Sequence, residues 1–154
     1  MGFFVWYGIR DRTRTHLNPS VRWTLAATSA NTGCYINFAN GLMVYEAIQA
    51  GEKLAEQGIN ARIINMSTIK PLDEELVLKC AKECGKIITC EEHSVIGGLG
   101  EAVCSFLSEN YPTPVKRIGV DDQFGFSAPA GEVLKAFGLC CDHIVDVAKE
   151  FVGK

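Results

Sequence analysis

The segment Glu91-Glu92-His93 carries the side chains of this sequence best suited to acid–base chemistry. It directly follows Lys86–Cys90, an apolar run typical of a short buried strand. A carboxylate pair beside an imidazole could raise the pKa of the imidazole and support proton transfer. The alternatives are that Glu92 or His93 fixes the loop by hydrogen bonds, that the segment pairs across a subunit boundary, or that it contacts a ligand. We favour the structural or interface role and predict no catalytic residue in this chain by itself.

A glycine-rich segment, Gly97-Gly98-Leu99-Gly100, follows this strand and opens a helix. Backbone N–H groups at a helix start can hold an anion, and glycine lets a phosphate come close. The spacing matches neither the GxGxxG fingerprint nor a Walker loop, which requires GK[ST]. Close packing of strand against helix is the alternative. The candidate anion, ligand or interface loop comprises Glu91, Glu92, His93, Gly97 and Gly98.

Seven cysteines are present, and their spacing resembles no disulfide framework of a secreted protein. We therefore predict buried, reduced thiols in a cytoplasmic protein. Cys80 and Cys84 lie four residues apart, on one face of a predicted helix. A metal site there would need two further ligands that the neighbouring sequence does not supply, so we predict no metal site.

Helix boundaries are marked by capping residues. Asp73 can accept a hydrogen bond at the start of the second helix, and Gly85 can end that helix. The last helix is predicted to be capped by Asp142. A short helix before it is expected to bury Val133, Leu134 and Phe137.

Short apolar runs alternate with helical patterns along the chain, which indicates crossover connections between parallel strands. The fold class predicted is α/β, a three-layer sandwich with a mostly parallel sheet of about five strands and helices on both faces. The carboxyl ends of such strands form the usual ligand crevice. The loops expected there are 40–41, 67–72, 91–98 and 121–127.

The length of 154 residues, with 47% hydrophobic residues and a net charge of -3, predicts one globular domain. The charge balance excludes a basic nucleic-acid footprint, and no apolar run approaches the roughly 18 residues of a membrane helix. Residues 1–33 show no sustained period. We interpret them as a leader, disordered or derived from a cloning or reading-frame junction, and residues 34–154 as the domain. The alternative is that the aromatic residues 3–7 dock as an edge strand.

Four segments in this order resemble the C-terminal domain of transketolases, most closely the C-terminal portion of split bacterial or archaeal transketolases. One such motif would be weak evidence, whereas four in the same order form a specific pattern. The segments are Asn40–Ala47, Ile64–Asp73, Glu91–Val103 and Val115–Val120, the last with Phe124–Ser127 and Phe137–Leu139.

The resemblance implies a part of a thiamine-diphosphate enzyme that transfers two-carbon ketol units between sugar phosphates, as in the pentose phosphate pathway. In that family a first domain holds the diphosphate and Mg²⁺ through a GDG…N motif, and a second supplies the activating Glu. The sequence contains no Gly-Asp-Gly. The implied role is therefore assembly, dimerisation or regulation, with no cofactor bound by this chain and no activity of the isolated chain.

Two other functions stay open at this point. The chain could be a stand-alone module that binds a small anion or nucleotide in the strand-end crevice. It could also be the C-terminal domain of 1-deoxyxylulose-5-phosphate synthase or of a 2-oxoacid dehydrogenase beta subunit. For partners, we expect a homodimer or association with chains that carry the thiamine-diphosphate-binding domains, and neither nucleic acid nor membrane.

Overall fold

A computed structural model describes residues 5–7, 23–25 and 34–153 of the chain. Strands and helices alternate through most of this length. None of the described helices is both long and apolar enough to cross a membrane. In chain order the elements are β1 (Val5–Tyr7), β2 (Trp23–Leu25), β3 (Cys34–Ala39), α1 (Met43–Ala55), β4 (Asn60–Asn65), α2 (Glu74–Cys84), β5 (Ile87–Ser94), α3 (Leu99–Asn110), β6 (Val115–Val120), α4 (Ala130–Ala136) and α5 (Cys141–Val152).

The main sheet has four parallel strands in the order β4-β3-β5-β6. The expected α/β class with a parallel sheet is confirmed, with four strands among the described residues where about five were expected. From β3 the chain crosses to β4 on one side, whereas from β5 it crosses to β6 on the other. The strand order therefore reverses between β3 and β5, the point where open α/β sheets place their ligand crevice.

Helices cover both faces of this sheet, because side chains on the central strand β3 alternate between two cores. Tyr35 and Ala39 face the core shared with α1 and α5, whereas Ile36 and Phe38 face the core shared with α2 and α3. All four are fully buried. Both faces of β3 are thus apolar, as expected of a strand in the middle of a covered parallel sheet.

Strands β1 and β2 pair antiparallel in a sheet of their own. The aromatic segment near the start of the chain thus contributes Val5–Tyr7 to this pair, and not an edge strand to the main sheet. The other residues of the predicted leader 1–33, namely 1–4, 8–22 and 26–33, lie outside the described residues. Its separation from the domain at 34–154 stays a prediction.

Helix α2 begins and ends at the residues that the sequence indicates. The Asp73 carboxylate accepts a hydrogen bond from the Leu76 amide at 3.0 Å. Gly85 ends the helix in the left-handed region with φ 67°, where a side chain would be strained.

The prediction for the last two helices is wrong in two respects. Helix α5 begins at Cys141, and Asp142 does not cap it. The capping acceptor is Glu46 of helix α1, whose carboxylate lies 2.7 Å from the Cys141 amide. In α4 no residue is fully buried; Val133, Leu134 and Phe137 are half-buried, because α4 lies at the margin of the core.

Replacing Glu46 with alanine should destabilise the domain by about 1–2 kcal/mol, since the mutation removes a partly buried cap of a helix N-terminus. The measurement is chemical unfolding followed by circular dichroism. Lys53→Ala is the matched control: Lys53 donates to Asp142 at 2.6 Å, also between α1 and α5, but both side chains are exposed. That hydrogen bond lowers the pKa of Asp142, yet solvent screens an exposed pair, so its contribution to stability is small. An equal or larger loss in Lys53→Ala would contradict the assignment of Glu46 as the cap.

The prediction that all cysteines are reduced is also wrong. Cys34 at the start of β3 and Cys84 at the end of α2 are joined by a disulfide, and five cysteines are free. Cys80 and Cys90 are buried as expected. Burial raises the pKa of the Cys90 thiol to about 12, so this thiol stays protonated at neutral pH.

Candidate functional site

A crevice of about 940 Å³ opens at the carboxyl ends of β3, β4 and β5, at the point where the strand order reverses. Its apolar wall comes mainly from the start of α1, and its polar wall comes from the ends of the strands. All five residues of the candidate loop border it. The described lining residues are Asn40, Gly41, Leu42, Val44, Tyr45, Ile48, Asn65, Ser67, Ile69, Glu91, Glu92, His93, Gly97 and Gly98.

Glu91 is the best-held side chain of this crevice. It is fully buried, and its two carboxylate oxygens accept hydrogen bonds from the Leu99 amide at 2.7 Å and the Gly100 amide at 2.9 Å. These amides belong to the first turn of α3, where the helix dipole favours a negative charge. Glu91 therefore binds the end of β5 to the start of α3.

The sequence places Glu91 in a loop, whereas in the structure β5 continues through Ser94. The pairing of β5 with β6 is irregular between Cys90 and Ser94. The strand alternation turns Ile87 toward the α2/α3 core, and Glu91 lies two strand repeats further on, on the same side. The extended backbone thus directs the carboxylate at the helix N-terminus.

Glycines around Glu91 permit this close approach. A Cβ at Gly98 would overlap a carboxylate oxygen of Glu91 and lie 2.9 Å from the Ser94 carbonyl oxygen. At Gly100 it would lie 2.8 Å from the Thr89 hydroxyl oxygen. Gly98 and Gly100 therefore permit close packing of helix against strand, whereas anion binding stays a prediction.

Glu92 and His93 differ from Glu91 because both are exposed. The Nδ1 of His93 donates to the carbonyl oxygen of the adjacent Ser94 at 3.0 Å. One alternative from the sequence was that Glu92 or His93 fixes the loop by hydrogen bonds. In the structure, the carboxylate that does so is that of Glu91. Catalysis, ligand contact and subunit contact by Glu92 and His93 stay predictions.

Three backbone amides at this helix start already have carboxylate acceptors. The Leu99 and Gly100 amides already bond to Glu91, and the Gly97 amide donates to Glu101 at 2.7 Å. Among the described lining residues there are two glutamates and neither lysine nor arginine. The described part of the crevice therefore does not fit a diphosphate group, which needs cations or free amides.

Three of the four loops expected at the crevice border it, those that follow β3, β4 and β5. Loop 121–127 does not occur in its described lining. Sequence reasoning missed Asn65, the last residue of β4, and the apolar wall of α1. The spacing of Tyr45 and Ile48, three apart beside the first loop, is the signal that could have found that wall.

No group of three or more metal-ligating side chains occurs in the described part of the chain. Arg117 of β6 donates a hydrogen bond to the carbonyl oxygen of Val95, directly after β5, at 2.9 Å. The arrangement thus holds a rigid carboxylate in the wall of an open crevice. Among the described residues, the role of this Glu91 carboxylate is to anchor the end of β5 to the start of α3.

Known proteins share this fold and sequence. The chain is 47% identical over 112 residues to 6-deoxy-6-sulfo-D-fructose transketolase subunit SqwH of Clostridium sp. (strain MSTE9), which covers 73% of this chain and 35% of that protein. It is 40% identical over 116 residues to 1-deoxy-D-xylulose-5-phosphate synthase of Halothermothrix orenii, covering 74% of this chain and 18% of that enzyme. The chain thus spans about a third or less of these two relatives.

A solved structure of a split gene transketolase, in an inactive beta4 tetramer, superimposes with a TM-score of 0.78 at 37% identity. The match covers 90% of this chain and 44% of that one. The family model for the C-terminal domain of transketolase matches residues 37–144. This range runs from within β3 to the start of α5 and includes every described lining residue of the crevice, so the chain belongs to the transketolase C-terminal domain family.

Proposed function

We propose that this chain is the C-terminal assembly domain of a transketolase-type enzyme. The other domains of that enzyme lie either on the same polypeptide or on companion chains. Two findings support the proposal: a relative named as a transketolase subunit and a structural neighbour described as a split gene transketolase. In this proposal the complete enzyme transfers two-carbon ketol units between sugar phosphates. The expected cytoplasmic location is part of the same proposal.

The observation that carries an assembly role is the exposed apolar edge, which we define as Leu42, Tyr45, Ile96, Phe124 and Phe126. Each side chain is at least 46% exposed, and Phe124 is fully exposed. They follow β3, β5 and β6, so all lie toward the carboxyl edge of the sheet. Large apolar side chains gathered at one edge mark a surface that a partner covers.

Thiamine diphosphate and Mg²⁺ belong, in this proposal, to the other domains. The sequence lacks Gly-Asp-Gly, and the described crevice does not fit a diphosphate. When bound there, the cofactor supplies the carbanion chemistry of ketol transfer, whereas this chain supplies rigid support. Isothermal titration of the purified chain with thiamine diphosphate and Mg²⁺ should show no saturable binding. Micromolar binding, or ketol transfer by the chain without companions, would overturn the proposal.

Phe124→Ser should weaken association without lowering stability, because Phe124 is fully exposed in the isolated chain. We expect self-association as a homodimer, and a dissociation constant at least about tenfold higher in the variant. Light scattering over a concentration series measures it. The matched control is Tyr111→Ser, since Tyr111 is 40% exposed but lies after α3, toward the opposite edge of the sheet. Equal dissociation constants for the two variants and the unmodified chain would show that the exposed apolar edge is not the interface.

The transketolase branch is preferred over the synthase branch because identity to the transketolase subunit is higher. Mixing the chain with a companion that carries the GDG…N domain, and assaying ketol transfer between sugar phosphates, tests this choice. Formation of 1-deoxyxylulose 5-phosphate by the mixture would favour the synthase branch instead.

A second candidate function is small-ligand binding in the crevice, which its volume and its place at the strand-order reversal favour. The two glutamates and the occupied amides argue against phosphates and nucleotides as ligands. A thermal-shift panel should therefore show no stabilisation by phosphate or nucleotides. A saturable shift with any of these anions would restore the anion hypothesis.

A further inference from the structure

The topology brings two distant cysteines together at the amino edge of the sheet, the edge opposite the crevice. Cys34 is the first residue of β3, and Cys84 is the last residue of α2. Their Cα atoms are 5.7 Å apart, inside the range that disulfides require. Both residues are half-buried, so part of each lies at the surface of the domain.

The disulfide joins the central strand to the helix that covers it. Strand β3 lies between β4 and β5, and α2 packs on the same core as Ile36 and Phe38. The two cysteines are 50 residues apart in the chain. A link across so long a segment removes many conformations from the unfolded chain, so it favours the folded state.

Two of the five free cysteines, Cys80 and Cys90, do not offer the same chemistry. Cys80, one turn earlier on α2, is buried, and burial raises the pKa of its thiol. Cys90 is fully buried with a pKa raised to about 12. Thiol exchange needs a reachable thiolate. The other free cysteines, Cys104, Cys140 and Cys141, are half-buried but are not joined in a disulfide. Among the described cysteines, the structure thus places Cys34 and Cys84 together for thiol exchange.

We propose that Cys34 and Cys84 form a thiol–disulfide switch that sets the stability of this domain. In the oxidising direction, the thiolate of one cysteine attacks glutathione disulfide and releases one glutathione thiol. The thiolate of the other cysteine then displaces the second glutathione and closes the protein disulfide. Two electrons pass from the protein sulfurs to the glutathione sulfurs, and the two protons lost by the cysteines end on the two glutathione thiols. A reducing dithiol reverses the reaction.

The first test uses the full chain equilibrated in buffers of different glutathione to glutathione disulfide ratio. Peptide mapping without reduction should show a Cys34–Cys84 linkage in the oxidising buffer and none in the reducing buffer. The melting temperature should be higher in the oxidised form by about 10 °C. A linkage between other cysteines, or melting temperatures that agree within about 2 °C, would overturn the proposal.

Serine variants show which cysteines are responsible. The melting temperatures of Cys34→Ser and Cys84→Ser should no longer depend on the glutathione ratio. Cys104→Ser is the matched control, because Cys104 is also half-buried but free, and it should keep the full dependence. A glutathione-dependent melting temperature in Cys34→Ser would contradict the assignment.

A measurement on the unmodified chain keeps the proposal testable even if these variants fold poorly. Alkylation in the reducing buffer should label Cys34 and Cys84, and the oxidising buffer should protect both. Amide hydrogen exchange should be faster at residues 34–36 and 80–85 in the reduced form, while residues 97–100 at the opposite edge should not change. Equal labelling of both cysteines in the two buffers would overturn the proposal.

Discussion

Replacing Glu91 with alanine should lower the melting temperature of the domain by about 10–20 °C. The mutation leaves the buried amides of Leu99 and Gly100 without their acceptor. Each hydrogen bond to a charged group contributes about 1.5–3 kcal/mol, so the expected loss for the two is about 3–6 kcal/mol. Thermal unfolding followed by circular dichroism measures the melting temperature, and chemical unfolding measures the loss of unfolding free energy.

Glu91→Gln separates the charge of this side chain from its shape. The amide keeps one oxygen acceptor but presents an NH₂ group to the second backbone amide, so about half of the loss should remain. Glu92→Gln is the matched control, since Glu92 is the adjacent residue, also in β5, but exposed. It should change the unfolding free energy by about 0.5 kcal/mol or less. A loss in Glu92→Gln as large as in Glu91→Ala would show that the anchor is misassigned.

Adding one methyl group at Gly98 should be nearly as damaging, because the new Cβ would occupy the position of a Glu91 carboxylate oxygen. Gly98→Ala should destabilise the domain by about 2–4 kcal/mol, at the upper end of overpacking effects, since buried backbone also lies close. The measurement is again the unfolding free energy. Gly131→Ala is the control: it lies in α4 with open space around the added Cβ. This control should be neutral or stabilising by up to about 1 kcal/mol.

Combining the two substitutions shows whether they act on the same contact. In the double variant of Glu91→Ala and Gly98→Ala, the carboxylate that the new Cβ would meet is gone. The loss of unfolding free energy in the double variant should therefore be smaller than the sum of the two single losses, with a coupling of about 1 kcal/mol or more. Strict additivity would mean that Gly98 is required for a reason unrelated to Glu91.

The sequence predicts those parts of the fold that depend on local patterns. The alternation of strands and helices gives the parallel sheet, and Asp73 and Gly85 mark both ends of α2. The crevice was also predictable, because parallel strands end at one edge and the loops after them must meet there. The candidate residues Glu91 and Gly98 were found by this reasoning.

The missed features depend on contacts between residues far apart in the chain. Glu46 caps α5 from a helix 95 residues earlier, and no local signal marks that pairing. Cys34 and Cys84 meet because α2 returns to the amino edge of the sheet, which spacing alone does not show. The role of Glu91 depends on the extension of β5 past Cys90. The residues of this extension are charged or polar, so hydrophobic periodicity does not predict a strand there.

The acceptor that Glu46 provides for the Cys141 amide also bears on dissection of the domain into fragments. A peptide comprising residues 130–153 would have no carboxylate from α1 at the start of its second helix, and short isolated helices are marginal in water. Such a peptide should stay largely unstructured alone and gain helicity when a fragment spanning β3 to β6 is added. The last helix of this fold is thus a conditional element, whose order is supplied by a distant part of the same polypeptide.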